Sequence, residues 1–519
     1  MMRRLMFLAA LFCFQIEQGY AEAPDAAQKK ITGEFVNYEA FGAIGDGVAD
    51  DLPAICAAHD YANKHGKPVR TKPDAVYHLG ARALTAVIAT DTDWNTSRFI
   101  IDDTLDVENN KRHLFDVVSL QKPIALKIDA LKRDQPRLDV KPPVDCIVHV
   151  TNSKVKRFIR WGSNANSGRA QNEVFILRKD GTVEGAIIWD YDAVTKVIAK
   201  PIDSETLTLR GGIFKHVANR MRQEKGYNYW SRNIKISRSN TVVDGVVCRV
   251  TGETEVGHPY GGFLAISFCA NITLRNCNID GRKTYRTIGV VGKPVSMGTY
   301  GYSVSSVVNF HMIKCRMENI NDRSRWGVMG CNYLKNILLE DCELSRMDVH
   351  QGASGDYIIR RTTLGHAGLN AIGRGRLIVE DSTLYGRSLI TFRSDYGSTW
   401  EGTVLIKNSR WIPNTGKIPD DCVMFSVKNH GTHDFGYPCY MPREIVIDSL
   451  FIDDAKHPAK YKGVFYFSNP FSSSVKEQPY PIQLTETLSV RNLQCASGVT
   501  PRLSTNPELG QKIKLKIEE

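Results

Sequence analysis

From Asn271 onward one pattern of apolar and polar positions recurs: apolar, variable, apolar, two variable, small, variable, apolar. It reads Ile272, Leu274, Cys277, Ile279, then Phe310, Met312, Cys315, Met317, then Ile337, Leu339, Cys342, Leu344. Tyr357, Ile359, Thr362, Leu364 follow, then Leu377, Val379, Ser382, Leu384, then Val404, Ile406, Ser409, Trp411, with looser copies from Ile445 and Leu488. Alternation of period two belongs to strands, whose successive side chains face opposite ways, and excludes helical repeats. One such unit cannot bury its apolar face alone and must stack on its neighbours. The pattern predicts an all-β protein, a parallel β-helix over residues 230–500, with Cys277, Cys315 and Cys342 stacked inside.

The spacing of the small-residue column locates the loops. It is 38 residues from Cys277 to Cys315, 27 to Cys342, 20 to Thr362, 20 to Ser382 and 27 to Ser409. A minimal coil needs about 20 residues, so any excess leaves the stack as loops. The middle coils carry none while those on either side carry long ones. A cleft is expected there, with 345–393 in its floor.

Ahead of the repeats, 33–90 reads as a cap and first coils. Leu52 to His65 carries Ile55, Ala58 and Ala62 at helical spacing, behind Asp50 and Asp51 as capping residues, and Gly66-Lys67-Pro68 ends it. Its G-x-x-G-D-G turn lacks the Lys-Ser/Thr ending of a phosphate loop. The stretch G-A-I-G-D-G-V-A-D-D-L-P-A-I, 42–55, resembles the opening motif of the pectate-lyase superfamily. That resemblance implies a right-handed, single-stranded parallel β-helix (pectin-lyase-like) with an N-terminal capping helix. Residues 91–229 are strand-like but aperiodic, with a basic patch around Lys154 to Arg160, and read as an inserted β subdomain. Residues 501–519 read as a C-terminal tail.

Charge narrows the partners. The formal net charge is +11, which suits a polyanion: nucleic acid, an anionic membrane or an acidic polysaccharide. No Arg/Lys-rich helix, zinc-finger spacing or aromatic RNA-binding motif favours nucleic acid. Residues 1–21 combine Arg3 and Arg4 with an apolar run and small-residue cleavage sites, a secretory signal. Later segments do not reach the roughly 18 apolar residues of a membrane span. A secreted or periplasmic protein is expected. Twelve cysteines without C-x-x-C spacing indicate neither a disulfide framework nor structural zinc, although Cys422 and Cys439 are placed to pair.

The candidate chemistry lies in S-R-M-D-V-H-Q-G, 345–352, and G-H-A-G-L-N, 365–370. Asp348 and His350 flank Val349 and so share one strand face. Aligning the coils puts Val328, Val349, Leu369 and Leu389 in one inward column, His350 beside Asn370, and Arg346 beside His366. Arg325, Arg374, Arg387 and Arg393 fall nearby, with Asp322, Asp395 and Glu401 as the few carboxylates. Trp326, Tyr396 and Trp400 are candidate sugar-stacking rings, whereas Trp411 belongs to the core column and Arg360 and Arg361 to a solvated face. This balance suits β-elimination on a uronate polymer, with arginines neutralising the carboxylate and His350 taking the proton. Asp348 would orient the imidazole. D-V-H also resembles, over three residues, the D-P-H of alginate C5-epimerases, with Ser345 where their tyrosine stands. The catalytic set is then His350, Asp348, His366 and Arg346. Arg325, Asn370, Arg374, Arg387, Arg393, Asp395, Trp326 and Trp400 would bind an anionic polysaccharide or oligosaccharide. A glycoside hydrolase on the same scaffold would instead pair Asp348 with a second carboxylate. A non-catalytic glycan-binding or adhesive β-helix is the third reading. The N-T-D and R-I-K motifs of polygalacturonases are absent, no D-D pair lies in 345–393, and G-H-A-G resembles only their G-H-G. The acidic calcium cluster of typical pectate lyases is not evident either, so calcium is left open without support and no cofactor or metal site is expected.

Overall fold

The computed structural model describes residues 33–518, apart from 163–166, 223–227, 255, 281–283, 289–293, 326–328, 414–420 and 472–479. The repeats are parallel strands stacked coil on coil. One face runs from 272–275 through 310–313, 337–340, 357–360, 377–380, 404–407, 445–448 and 488–491 to 515–518. A second holds 343–344, 363–364, 383–384 and 410–411. The third holds 347–349, 369–371, 390–392, 423–425, 465–467 and 502–504. The fold is a parallel β-helix, and its stacking continues to Glu518.

The repeat pattern is explained at the corners. Between the first and second faces each coil turns on one left-handed residue: Asn276, Lys314, Asp341, Arg361, Asp381, Asn408, Ser449 or Asn492, with φ of 45–66°. Asn and Asp tolerate this conformation best. After Ser449 and Asn492 come Leu450 and Leu493; the residue after each of the first six corners is the small one of the repeat, and it points inward. There the column forms a hydrogen-bonded ladder along the axis. Cys342 N donates to Thr362 Oγ1 at 3.1 Å, Thr362 N to Ser382 Oγ at 3.1 Å, and Ser382 N to Ser409 Oγ at 3.2 Å. A second ladder, between the third and first faces, links Asn271, Asn309 and Asn336 through side-chain amides at 2.9 Å.

The capping helix is Leu52–His65, closed by Gly66 at φ 63°. Leu52, Ile55, Ala58, His59 and Ala62 are buried. Asp50 Oδ1 accepts from Leu52 N at 3.1 Å, while Asp51 turns away to accept from Ile44 N at 2.7 Å. The inserted subdomain is an antiparallel sheet of Cys146–Arg157, Arg169–Leu177, Val183–Glu184 and Lys196–Pro201. Strands on either side of it, Arg98–Asp102 and Ile213–Val217, already pair in the coils. It has its own apolar core and docks through a buried ion pair, Lys335 Nζ to Glu173 Oε2 at 2.7 Å. Cys422 and Cys439 do not pair; all described cysteines are free thiols. Cys422 lies in the strand Cys422–Ser426, whereas Cys439 sits under Gly397, in a different part of the core. The proposed signal, 1–21, lies outside the described residues. No helix among the described residues is long and apolar enough to cross a membrane.

Candidate functional site

The strand Glu343–Arg360 crosses from the second face through the third to the first. Met347 and Val349 point inward and are fully buried, so Asp348 and His350 lie on the outer side of the third face. Asp348 nevertheless has 0% exposure, because its neighbours cover it. His350 Nε2 is 2.5 Å from Oδ2, Arg393 Nη1 is 3.0 Å from Oδ1, and Asn370 Nδ2 donates to Oδ1 at 3.0 Å. Arg346 closes the fourth side with an ion pair to Oδ2. Arg393 then bridges to Asp395, at 3.1 and 2.9 Å, and Arg160 of the inserted subdomain reaches the same carboxylate at 2.7 Å. Sequence reasoning missed Arg160 as a site residue, although the basic patch it ends was visible. Tyr300, beside the His350 ring with centroids 6.3 Å apart, carried no sequence signal.

The alignment of neighbours differs from that expected. Asp348, not His350, lies opposite Asn370, and Arg346 lies opposite Gly368 rather than His366. Leu344 pairs with Leu364 and Arg346 with Gly368, so the upper coil holds two extra residues between the same rungs. Gly365 permits this bulge, since a Cβ there would lie 2.1 Å from the Ile320 carbonyl oxygen. The bulge turns His366 towards the preceding loop, where its backbone N–H donates to Ile320 O and Nε2 lies 3.2 Å from Arg325 O. One coil on, the register puts Ile390 rather than Leu389 in line with Leu369, because the chain bends at Arg387 between two short strands. Val328 and Trp326 lie outside the described residues.

Of the other candidates, Arg325 pairs with Asp322 at 3.3 Å near His366, and Arg387 is exposed. Arg374 is not in this cluster: it forks onto Asp134 at 2.7 and 2.8 Å and, with Glu401, lines a cavity beside the inserted subdomain. Trp400 cannot stack on a sugar. It is fully buried, packs on Tyr357 and donates to Thr403 O, because its strand position faces the core. Tyr396 is buried as well, while Trp411 is core and Arg360 and Arg361 form ion pairs with Glu340, Asp341 and Glu380.

Charge defines what the cluster can do. Burial would raise the Asp348 pKa, but Arg346, His350 and Arg393 outweigh it and hold the carboxyl well below the ordinary range. Asp395 is held down likewise against its burial by Arg393 and Arg160. An ionised carboxylate only accepts hydrogen bonds, so His350 turns an Nε2–H to Asp348, and in the neutral ring the lone pair is then on Nδ1. That ring is 26% exposed. Burial lowers the pKa of His366, which favours its neutral form. No group of three or more His, Cys, Asp or Glu among the described residues is arranged to hold a metal ion.

No family model matches the chain. One curated protein, the capsule KL64-specific depolymerase of Klebsiella phage P510, is 32% identical over 117 residues, which cover 20% of this chain. The match spans only 12% of that protein's length. Among solved structures, the tailspike gp61 of Pseudomonas phage phi297 superposes with a TM-score of 0.50 at 12% identity, covering 89% of this chain and 80% of that one. The gp54 tailspike of Acinetobacter baumannii bacteriophage AP22, solved with a capsular saccharide, gives 0.47 at 9% identity over 94% and 80%. The first of these likenesses supports the β-helix fold.

Proposed function

We propose that this chain is a secreted or periplasmic enzyme that cleaves an anionic polysaccharide by β-elimination, with His350 as the base. One observation carries the reading: a part-exposed imidazole whose Nε2 is fixed by a buried, ionised carboxylate, with Nδ1 as its second nitrogen. His350 Nδ1 takes the proton beside the substrate carboxylate, the bond to the glycosidic oxygen breaks, and a carbon–carbon double bond forms. The leaving oxygen takes its proton from water. Arg160, Arg346 and Arg393 outnumber Asp348 and Asp395 by one charge, which suits a substrate carboxylate. Asp348 is a positioning residue. A hydrolase needs one carboxyl kept protonated, and Asp348, Asp395 and Asp322 are all held on the ionised side of their usual range. The stretch shared with a capsule depolymerase supports a polysaccharide as substrate.

A second reading, glycan binding without turnover, is favoured by the mutual pairing of Arg346, Asp348, Arg393 and Asp395. A panel of capsular and uronate polysaccharides, followed by ultraviolet absorbance and product mass, separates the readings. Elimination gives an unsaturated product one water lighter than that of hydrolysis. His350→Ala should lower turnover by about 10²–10⁴-fold, the usual contribution of a general base, with an unchanged melting temperature. Reducing ends without the unsaturated product would sink the elimination, and retained turnover in His350→Ala would remove this base.

A further inference from the structure

A cavity of about 220 Å³ lies where the inserted subdomain meets the helix, at the corner that follows His350 on the same strand. Gly352 and Ala353 of that strand line it, opposite Trp189 and Tyr437. Gly352 has φ +80°, and a Cβ there would fall 2.9 Å from Phe158 Cζ, so only glycine lets the subdomain's aromatic ring seat against the coil. The Trp189 and Tyr437 rings lie nearly parallel, at 24° with centroids 5.8 Å apart, and both border the cavity. The indole N–H of Trp189 is buried and meets no acceptor among the described residues.

The charges around the cavity are unevenly matched. Arg133 and Arg374 are balanced by Glu401 and Asp134. Arg157 is not. Its guanidinium lies 4.6 Å from the Trp189 ring, Nε donates to Gln171 Oε1 at 2.9 Å, and Nη1 donates to the Gly436 carbonyl. Those acceptors are neutral, and among the described residues no carboxylate lies within ion-pairing distance of Arg157. Burial pulls its pKa down by more than Asp434, which is too far to form an ion pair, raises it. Arg157 also borders a shallower groove of about 760 Å³ that carries Lys154 and Lys156, a basic approach for a polyanion.

We propose that this cavity is a subsite for a single acidic sugar ring, its carboxylate on Arg157 and its apolar surface against Trp189 and Tyr437. The volume falls below the roughly 300–1,000 Å³ of pockets for drug-sized ligands, which suits one ring. Aromatic carbon for a ring's apolar surface and a fork for a carboxylate are what such a unit needs. A polar group of the ring would satisfy the Trp189 N–H. The inference rests on the glycan reading of His350 and extends it to a neighbouring unit, and its test reads binding apart from cleavage.

Tryptophan fluorescence and saturation-transfer NMR with glucuronate, galacturonate and N-acetylneuraminate, against glucose and galactose, provide that test. At least one acidic sugar should bind saturably, and Arg157→Gln should weaken it by about tenfold or more, while Arg157→Lys retains part of the affinity. Trp189→Phe should abolish the fluorescence response, and His350→Ala should bind as wild type. The subsite is overturned if no acidic sugar binds, if neutral sugars bind equally well, or if Arg157→Gln binds unchanged with a native melting temperature. Binding without cleavage would overturn the elimination and keep the subsite. Cleavage with an unaltered KM in Arg157→Gln would do the reverse.

Discussion

Asp348 has no accessible surface and four hydrogen-bonding or ion-pairing partners, two of them arginines. Removing its charge would leave Arg346 and Arg393 facing each other without an anion between them. Asp348→Asn should therefore cost about 3–5 kcal/mol in stability, the range for breaking a buried pair on one side, measured by chemical denaturation; a cost under about 1 kcal/mol, the worth of an exposed pair, would count against this role. At this scale the sequence was informative in one respect. Two residues on one side of a strand must be neighbours, and Asp348 and His350 are. Which residue lies opposite them was not legible, because two extra residues at Gly365–Ala367 shift the next coil. Such a bulge is set by an approach to Ile320, 45 positions earlier than Gly365, and no local pattern announces it.

Single coils are held by more than apolar burial. The inward Cys342, Thr362, Ser382 and Ser409 share one axial hydrogen-bond ladder, so the mixture of small polar residues in that column has a reason beyond size. Thr362 Oγ1 accepts from Cys342 N and donates to Arg360 O at 2.9 Å. Thr362→Val keeps the shape but leaves the Cys342 N–H without its acceptor, and should cost about 1–3 kcal/mol. Thr362→Ser, which keeps the hydroxyl, should cost clearly less; equal losses in urea titrations would show that packing alone sets the column. The repeats made this fold legible because the coils from Asn276 to Asn408 solve the same corner with a left-handed residue and a small one after it. Trp400 misled for the same reason reversed: outside the repeat it carries no mark of facing inward.

For the whole molecule, the ends and the insertion decide what the coils alone cannot. The capping helix places His59 against Tyr38, 2.8 Å from its hydroxyl, fully buried, and burial pushes the imidazole down to about 3. Unfolded, the same group takes its proton near 6.5. The unfolded chain thus binds the proton first as pH falls, and the neutral cap loses about 1.4 kcal/mol per pH unit from about 6.5 down towards 3. His59→Gln should flatten that part of the stability–pH profile in thermal melts, whereas an unchanged slope would assign the acid sensitivity elsewhere. The inserted subdomain was readable as aperiodic strand, but that its Arg160 reaches Asp395 depends on docking through Lys335 and Glu173, which sequence order hides. The unbroken run of minimal coils has one more consequence. Backbone hydrogen bonding fixes the rise between strands at about 4.8 Å, so Asp348, Asn370 and Thr391 stand on successive rungs of a ruler. A chain lying along that ruler keeps pace only if its own units advance by a matching step, and one with another repeat drifts out of phase within a few units. Under the proposed function, a glycan on this face would be selected by its repeat as well as by its charge.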